Sequence, residues 1–198
     1  MKDLSRRQLL LGALATGAAL AVPEAVFGTS TSDTLLNRAR RELDRVGRDI
    51  PRQDVVGLAD YSHPSSTPRF HLVGMRSGNV DSFLVSHGRG SDPGHSGWVR
   101  RFSNQPGSNA SSEGAYLTGD YYSGKHGRSM RLVGLDPTNS NAEQRAIVVH
   151  GAWYVGPDML RLHGQLGRSE GCFAFAESQI DTILRRLGPG RLLLSTKL

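Results

Sequence analysis

Short runs of β-branched and aromatic residues, divided by glycine, proline, serine and asparagine, make up most of this chain. Runs of this kind are typical of strands. They predict seven strands, near Val55–Tyr61, Phe70–Met75, Ser82–Ser86, Ala115–Tyr122, Met130–Leu135, Arg145–His150 and Arg191–Ser195. With 24 glycines among 198 residues, we predict a mainly β fold, a compact β-sandwich or β-barrel.

Two amphipathic segments predict helices near the two ends of the fold. The first runs roughly from Asp33 to Arg48, and one helical face carries Leu35, Leu36, Ala39, Leu43 and Val46. The second runs from about Glu177 to Leu187 and ends at Gly188-Pro189, a helix stop signal.

A long segment, Arg89–Ser112, lies between the third and fourth predicted strands and is rich in glycine and serine. Loops of this length in a compact domain are usually functional or disordered.

The first 28 residues have the features of an export signal. The pair Arg6-Arg7 precedes an apolar run, Gly12–Val22, which contains the cleavage-type sequence Ala19-Leu20-Ala21. A transmembrane anchor is the alternative, but the apolar run is short for a span and rich in small residues. We therefore expect a twin-arginine-type signal peptide at residues 1–28 and one domain at 29–198. The mature protein is expected in the periplasm or cell envelope of a bacterium, without a stable membrane span.

The chain is basic, with a formal net charge of +6 at pH 7. Such a surface attracts nucleic acid, anionic lipid or an anionic wall polymer. The chain has no run of five or more Lys or Arg residues, and an exported protein rarely meets nucleic acid. We therefore expect no nucleic-acid partner, and a solvated basic surface is the simplest interpretation of the charge.

The only cysteine, Cys172, follows Ser169 and Gly171 in the sequence Gly-Arg-Ser-Glu-Gly-Cys, and His150-Gly151 lies 22 positions upstream. A lone cysteine cannot form an intramolecular disulfide. We interpret Cys172 as a nucleophile and His150 as its base, joined in an ion pair that raises the thiolate fraction. An inert buried thiol and a packed core histidine are the alternatives. His163, nine residues before Cys172, is the alternative base.

The residues around Cys172 suggest further roles. A Ser-x-Gly turn presents backbone N–H groups, and those of Gly171 and Cys172 are candidates for an oxyanion hole. Ser169 either holds the turn or positions substrate. Arg168 is a candidate carboxylate ligand because guanidinium binds carboxylates bidentately, and Gly151 leaves room for substrate. A single cysteine and the lack of an H-E-x-x-H sequence argue against zinc, and we expect neither a metal nor a cofactor.

Several segments, in this order, resemble the murein L,D-transpeptidase catalytic domain family, in its YkuD-like branch. They are Ser86-His87-Gly88, Phe102-Ser103-Asn104, Ser111–Gly114, Gly124–Gly127, Arg145–Gly151 and Gly167–Cys172. The resemblance implies an L,D-transpeptidase-type β-sandwich or barrel with a short N-terminal helix and one helix after the cysteine. It also implies a substrate groove lined by His87, Asn104 and His126. Many relatives have an aromatic residue or histidine at Glu170 and proline at Phe173.

The same resemblance implies an exported cysteine transpeptidase that acts on peptidoglycan stem peptides. Cys172 would attack the carbonyl before the terminal D-alanine, and an amine would then take the acyl group from the thioester. With water as the acceptor, the enzyme would be an L,D-carboxypeptidase. A wall-binding protein that has lost turnover is the non-enzymatic alternative. A papain-like peptidase fits less well, because the histidine precedes the cysteine here. We expect a monomer.

Overall fold

The computed structural model describes residues 31–198, so the predicted signal peptide lies outside the described residues. Helix α1 spans Thr31–Val46 and ends in a short 3-10 turn, Gly47–Asp49. Its buried face includes Leu35, Ala39 and Val46, which pack on sheet residues such as Val56 and Leu194. The predicted N-terminal helix is confirmed. Within residues 31–198, no helix has the length and apolar character needed to cross a membrane.

Strands of the described region form one mixed sheet of eight. In chain order they are β1 (Val55–Asp60), β2 (Phe70–Gly74), β3 (Val80–Phe83), β4 (Gly114–Gly124), β5 (Gly127–Gly134), β6 (Val148–Gly151), β7 (Phe173–Phe175) and β8 (Leu192–Thr196). The order across the sheet is β3-β2-β1-β8-β4-β5-β6-β7. The β1–β8 and β6–β7 pairs are parallel, and the other five pairs are antiparallel.

The two edges of this sheet approach each other because the chain after β3 crosses to β7. The Ser86 N–H donates to the Ala174 carbonyl at 3.0 Å, and the Ser169 N–H donates to the His87 carbonyl at 2.9 Å. The sheet therefore curls around an aromatic core in which Phe70 meets Phe175 edge-on, with ring centroids 4.7 Å apart. The predicted mainly β, sandwich-like fold is confirmed.

Two further helices complete the structure. Helix α2, Pro157–His163, buries none of its residues and ends at Gly164, which has a φ of +69°. Helix α3, Ile180–Leu187, follows the cysteine as predicted and buries Ile183, Leu184 and Leu187 against the core. Apolar burial of this kind is the main stabilising contribution to a domain of this size. A second 3-10 turn spans Arg89–Ser91.

Several predicted strand bounds differ from the structure, and one strand was not predicted; β5, for example, begins at Gly127 and not at Met130. The strand predicted at Arg145–His150 begins only at Val148, because Ala146 has a φ of +52° and cannot continue an extended strand. The strand predicted at Ser82–Ser86 spans Val80–Phe83, and the residues after it cross to β7. Strand β7 was not predicted, since its three residues are all buried and show no alternation.

Candidate active site

The parallel pairing of β6 with β7 brings Cys172 and His150 together. Val149 is paired with Phe173 and His150 with Ala174, so Cys172, immediately before β7, lies at the level of Val148. Both Cys172 and His150 line a cavity of about 370 Å³. Two residues 22 positions apart thus share one cavity because His150 lies in β6 and Cys172 immediately precedes the neighbouring strand β7.

His150 is held in one tautomer. It is 1% exposed, and its Nδ1 lies 2.8 Å from the Gly151 carbonyl oxygen. A carbonyl only accepts hydrogen bonds, so Nδ1 carries the proton and Nε2 of the neutral ring is left as an acceptor. Burial lowers the pKa of His150 to about 4, with a further contribution from the charges of His126 and Lys125. The imidazole is therefore neutral at neutral pH.

Cys172 is half-buried, and its Sγ lies 3.5 Å from the Ala146 carbonyl oxygen. Burial is the largest effect on this thiol and raises its pKa. Glu170 also raises the pKa of Cys172, whereas the Val148 backbone, Lys125 and Arg145 lower it. Burial raises the pKa of the Cys172 thiol and lowers that of the His150 imidazole, so both effects work against the ion pair expected from the sequence. Burial disfavours the charged form of both groups, which the sequence could not reveal.

The turn before Cys172 is held by Ser169. Its Oγ donates to the Cys172 carbonyl at 2.7 Å and accepts the Gly171 N–H at 3.1 Å. Gly171 has a φ of +118°, and a Cβ there would lie 2.7 Å from the Ala110 carbonyl oxygen and from Ile147 Cδ1. The turn therefore requires glycine at this position. Because the Gly171 N–H is already bonded to Ser169, the Cys172 N–H is the remaining candidate of the predicted oxyanion pair.

Two residues expected to line the groove lie away from the cavity. His87 is 1% exposed, and its Nδ1 accepts a hydrogen bond from Arg69 Nη2 at 2.7 Å. Burial lowers its pKa to about 3, helped by the charge of Arg69. Asn104 joins two loops, since its Nδ2 donates to the Pro137 carbonyl and to Ser140 Oγ. Asn104 and His87 Nδ1 are thus engaged by other segments and not by the cavity, whereas His87 Nε2 is buried 3.4 Å from Asp92 Oδ2 without a hydrogen bond.

Other predicted residues do reach the cavity wall. His126 lines it, and its ring stacks on that of His150, with centroids 4.1 Å apart and planes inclined by 20°. Arg168 also lines it, with Nη1 donating to the Asp92 carbonyl. Gly151 is buried and provides the carbonyl that orients His150. His163, the alternative base, is exposed at the end of α2 and does not line the cavity.

Sequence reasoning missed two basic residues of the cavity, Lys125 and Arg145. Arg145 donates to the Ser103 carbonyl at 2.7 Å and also to Ser112 Oγ and the Ala110 carbonyl. The signal was available, since both residues stand inside segments that support the family resemblance. With Arg168, they make the cavity electropositive.

In residues 31–198, no group of three or more His, Cys, Asp or Glu side chains could hold a metal ion.

A model of the L,D-transpeptidase catalytic domain matches residues 29–195. The chain belongs to this family. The resemblance inferred from the motifs is thereby confirmed. Its solved relatives include an L,D-transpeptidase from Mycobacterium smegmatis, which is 13% identical with a TM-score of 0.44. The alignment covers 72% of this chain and 58% of that one.

L,D-transpeptidase 3 from Mycobacterium tuberculosis, in complex with a faropenem-derived adduct, is 14% identical with a TM-score of 0.46. The alignment covers 73% of this chain and 60% of that one, so the chain spans about three fifths of the length of these structures. A search of curated proteins gave no match.

Two positions beside Cys172, Glu170 and Phe173, were noted from the sequence as departures from the pattern of the family it resembles. Glu170 lies at the cavity wall with its side chain 65% exposed, and its Oε1 accepts a hydrogen bond from Arg89 Nη2 at 2.9 Å. Phe173 is buried and meets Tyr116 edge-on, with ring centroids 5.5 Å apart. Phenylalanine also has a backbone N–H that proline lacks. Phe173 is thus a core residue at the start of β7, and Glu170 remains at the surface.

Proposed function

We propose that the protein is an exported cysteine L,D-transpeptidase that acts on peptidoglycan stem peptides through a thioester. The observation that carries the proposal is the shared cavity of about 370 Å³, which holds Cys172 beside an imidazole whose acceptor nitrogen is fixed. A nucleophile, a base and a group that orients the base are the components of covalent acyl transfer. Here the orienting group is the Gly151 carbonyl.

Acylation begins with the neutral pair. The Cys172 Sγ attacks the carbonyl that precedes the terminal D-alanine, while its proton passes to Nε2 of His150. The tetrahedral intermediate collapses with loss of D-alanine, whose amine takes that proton from His150, and the acyl group remains on Sγ as a thioester. The Cys172 N–H and the basic residues of the cavity offset the negative charge on the oxygen.

The second step depends on the acceptor. An amine acceptor gives a cross-link, an exchanged amino acid or an attached protein, whereas water gives an L,D-carboxypeptidase. In both reactions His150 takes a proton from the attacking group and returns one to Sγ. The carboxypeptidase is the second candidate function, because cavity geometry alone does not distinguish an amine from water.

Covalent capture by a carbapenem tests the first step. Solved relatives are described in complex with imipenem and with a faropenem-derived adduct. Intact-mass measurement should show one imipenem adduct on the wild type and none on Cys172→Ala. An adduct on Cys172→Ala would contradict the assignment of the nucleophile. A wild type that forms no adduct but binds peptidoglycan in a sedimentation assay would favour the wall-binding alternative.

The base is tested by a matched pair of histidine variants. His150→Ala should slow adduct formation by roughly 100-fold or more, as expected for the loss of a general base. His163→Ala is the control, because that side chain is exposed and outside the cavity. The reverse order of effects would make His163 the base.

Export is tested by a separate experiment. Replacing Arg6 and Arg7 with lysine should retain the precursor in the cytoplasm, which fractionation would show.

A further inference from the structure

The turn before Cys172 is bonded along its length to one other segment, residues 87–92. The Ser169 N–H donates to the His87 carbonyl at 2.9 Å, and the Ser169 carbonyl accepts the Arg89 N–H at 2.8 Å, as in a parallel pair of strands. The side chains of the residues before and after Ser169 also bond to this segment. The position of segment 87–92 therefore fixes the position of the turn.

The side chain of His87 lies in a buried cluster with Arg69 and Asp92. Its Nδ1 lies 2.7 Å from Arg69 Nη2, and its Nε2 lies 3.4 Å from Asp92 Oδ2. Each of the three residues is at most 1% exposed. The imidazole thus stands between a buried guanidinium and a buried carboxylate, while the backbone of the same residue holds the turn.

Arg69 sets the tautomer of His87. A guanidinium only donates hydrogen bonds, so His87 Nδ1 is the acceptor and Nε2 carries the proton. This tautomer is the opposite of that of His150, whose Nδ1 carries the proton. Burial, helped by the charge of Arg69, lowers the pKa of His87 to about 3, so the ring is neutral at neutral pH. Its Nε2–H is buried beside the Asp92 carboxylate without a hydrogen bond.

Arg69 itself is anchored from several sides. Its Nε and Nη2 donate to the Val85 carbonyl at 3.2 and 3.1 Å, and its Nη1 donates to the His63 carbonyl at 2.8 Å. The guanidinium also lies over the Tyr61 ring, 4.9 Å from the ring centroid. A buried charge requires such contacts, because it has lost its water. They make the guanidinium a fixed point to which the ring of His87 is bonded.

A continuous chain of hydrogen bonds leads from this fixed point to Cys172. Arg69 bonds to the His87 ring at 2.7 Å, and the His87 carbonyl accepts the Ser169 N–H at 2.9 Å. Ser169 Oγ then donates to the Cys172 carbonyl at 2.7 Å. A shift of His87 is therefore transmitted to the thiol. Acyl transfer is sensitive to such shifts, because a displacement of about 1 Å at the reacting atoms slows a reaction strongly.

We propose that His87 is a positioning residue for Cys172. Its ring is fixed between a guanidinium and a carboxylate, and its carbonyl in turn fixes Ser169 and the turn. The ring is buried and does not line the cavity, so it acts without touching substrate. This inference rests on the proposed function and adds a residue to it. Loss of the ring lets the turn move, which slows attack by Sγ but leaves binding in the cavity unchanged.

Imipenem acylation measured over a range of imipenem concentrations separates positioning from stability. Intact-mass kinetics gives the fraction of protein that reacts, the apparent affinity and the maximal rate. His87→Leu removes both ring nitrogens and should lower the maximal rate by about tenfold, with the affinity and the reacting fraction unchanged. His87→Asn places an amide oxygen near the position of Nδ1, where it can accept from Arg69, and should recover most of the rate.

His71→Leu is the matched control. His71 is also buried, at 8% exposure, and its Nδ1 lies 2.8 Å from Ser82 Oγ, but it does not line the cavity. This variant should keep the maximal rate of the wild type. A merely structural role for His87 would lower the reacting fraction or the stability of His87→Leu and leave the maximal rate of the folded protein unchanged. That result, an equal loss of rate in His71→Leu, or no recovery in His87→Asn would overturn the proposal.

Two further measurements keep the proposal falsifiable. Long-range nitrogen NMR of the wild type at neutral pH should show the proton on Nε2 of His87, and a charged ring or a proton on Nδ1 would overturn the proposal even if His87→Leu fails to fold. A wild type that forms no imipenem adduct counts against the proposed function, and iodoacetamide then reports on Cys172. His87→Leu should be alkylated at least about twofold faster, because a turn that is free to move exposes its half-buried thiol. Equal alkylation rates would refute the positioning role.

Discussion

Replacing Glu170 by glutamine should make Cys172 modestly more reactive toward iodoacetamide at neutral pH. A negative charge near a thiol disfavours the thiolate, so Glu170 raises the pKa of Cys172. Removing the charge lowers that pKa and shifts the alkylation profile to lower pH. Burial, the largest cause of the raised pKa, is unchanged by a side chain of the same shape.

The structure limits the size of this effect. The Glu170 side chain is 65% exposed, and its charge is partly offset by Arg89, whose Nη2 lies 2.9 Å from Oε1. The Cα atoms of Glu170 and Cys172, two steps apart along the backbone, are at most roughly 7 Å apart. Two charges about 7 Å apart in water would interact by only about 0.6 kcal/mol, and the arginine reduces this further. We therefore expect the alkylation rate near neutral pH to rise roughly twofold.

Iodoacetamide kinetics from about pH 5 to about pH 10 measures this shift through the thiolate fraction. Arg89→Gln should have the opposite sign, because it leaves the charge of Glu170 without its partner. Glu143→Gln is the control, as an exposed carboxylate outside the cavity. An unchanged or upward-shifted profile for Glu170→Gln, or faster alkylation of Arg89→Gln, would refute the argument.

Three further predictions concern the neighbours of the nucleophile. The pKa of His150 is lowered to about 4, so the rate of carbapenem acylation should stay level as pH falls to about 5. A loss of acylation rate centred near the ordinary histidine pKa of about 6.5 would contradict this. His126→Ala removes the ring stacked on His150 and should slow acylation by up to about tenfold, whereas His126→Phe keeps a ring and should retain most of the rate. Gly171→Ala should lower the free energy of unfolding by roughly 1–3 kcal/mol in urea titrations. Gly164→Ala, also at positive φ but with no atom within 4 Å of the new Cβ, should cost less.

The parts of the site that sequence reasoning predicted are those fixed by local chemistry. Cys172 is the only thiol of the chain, and His150 ends an apolar run that becomes β6. Ser169 was expected to hold the turn or to position substrate, and its bonds to Gly171 and Cys172 support the first role. Each inference required only residue type, spacing and the geometry of a short turn.

The parts that were missed depend on contacts between distant segments. His87 and Asn104 stand in segments that match the family, but a segment match does not tell whether a side chain points into a groove or behind it. The direction of His87 is set by Arg69, which is 18 positions earlier in the chain and fully buried. The pKa shifts of Cys172 and His150 likewise depend on burial by the curled sheet, which no single segment encodes.

The long segment Arg89–Ser112 illustrates how such contacts reach the chemistry. The sequence predicted it to be functional or disordered, and the structure shows it joined to the nucleophile turn. Arg145 donates to carbonyl groups of Ser103 and Ala110. The same Ala110 carbonyl lies against Gly171, where only the absence of a side chain permits the approach. The loop thus forms the wall against which the turn of Cys172 is built. If Cys172 is the nucleophile, as proposed, the loop positions it, and substitutions of the buried residues of the loop should therefore alter acylation.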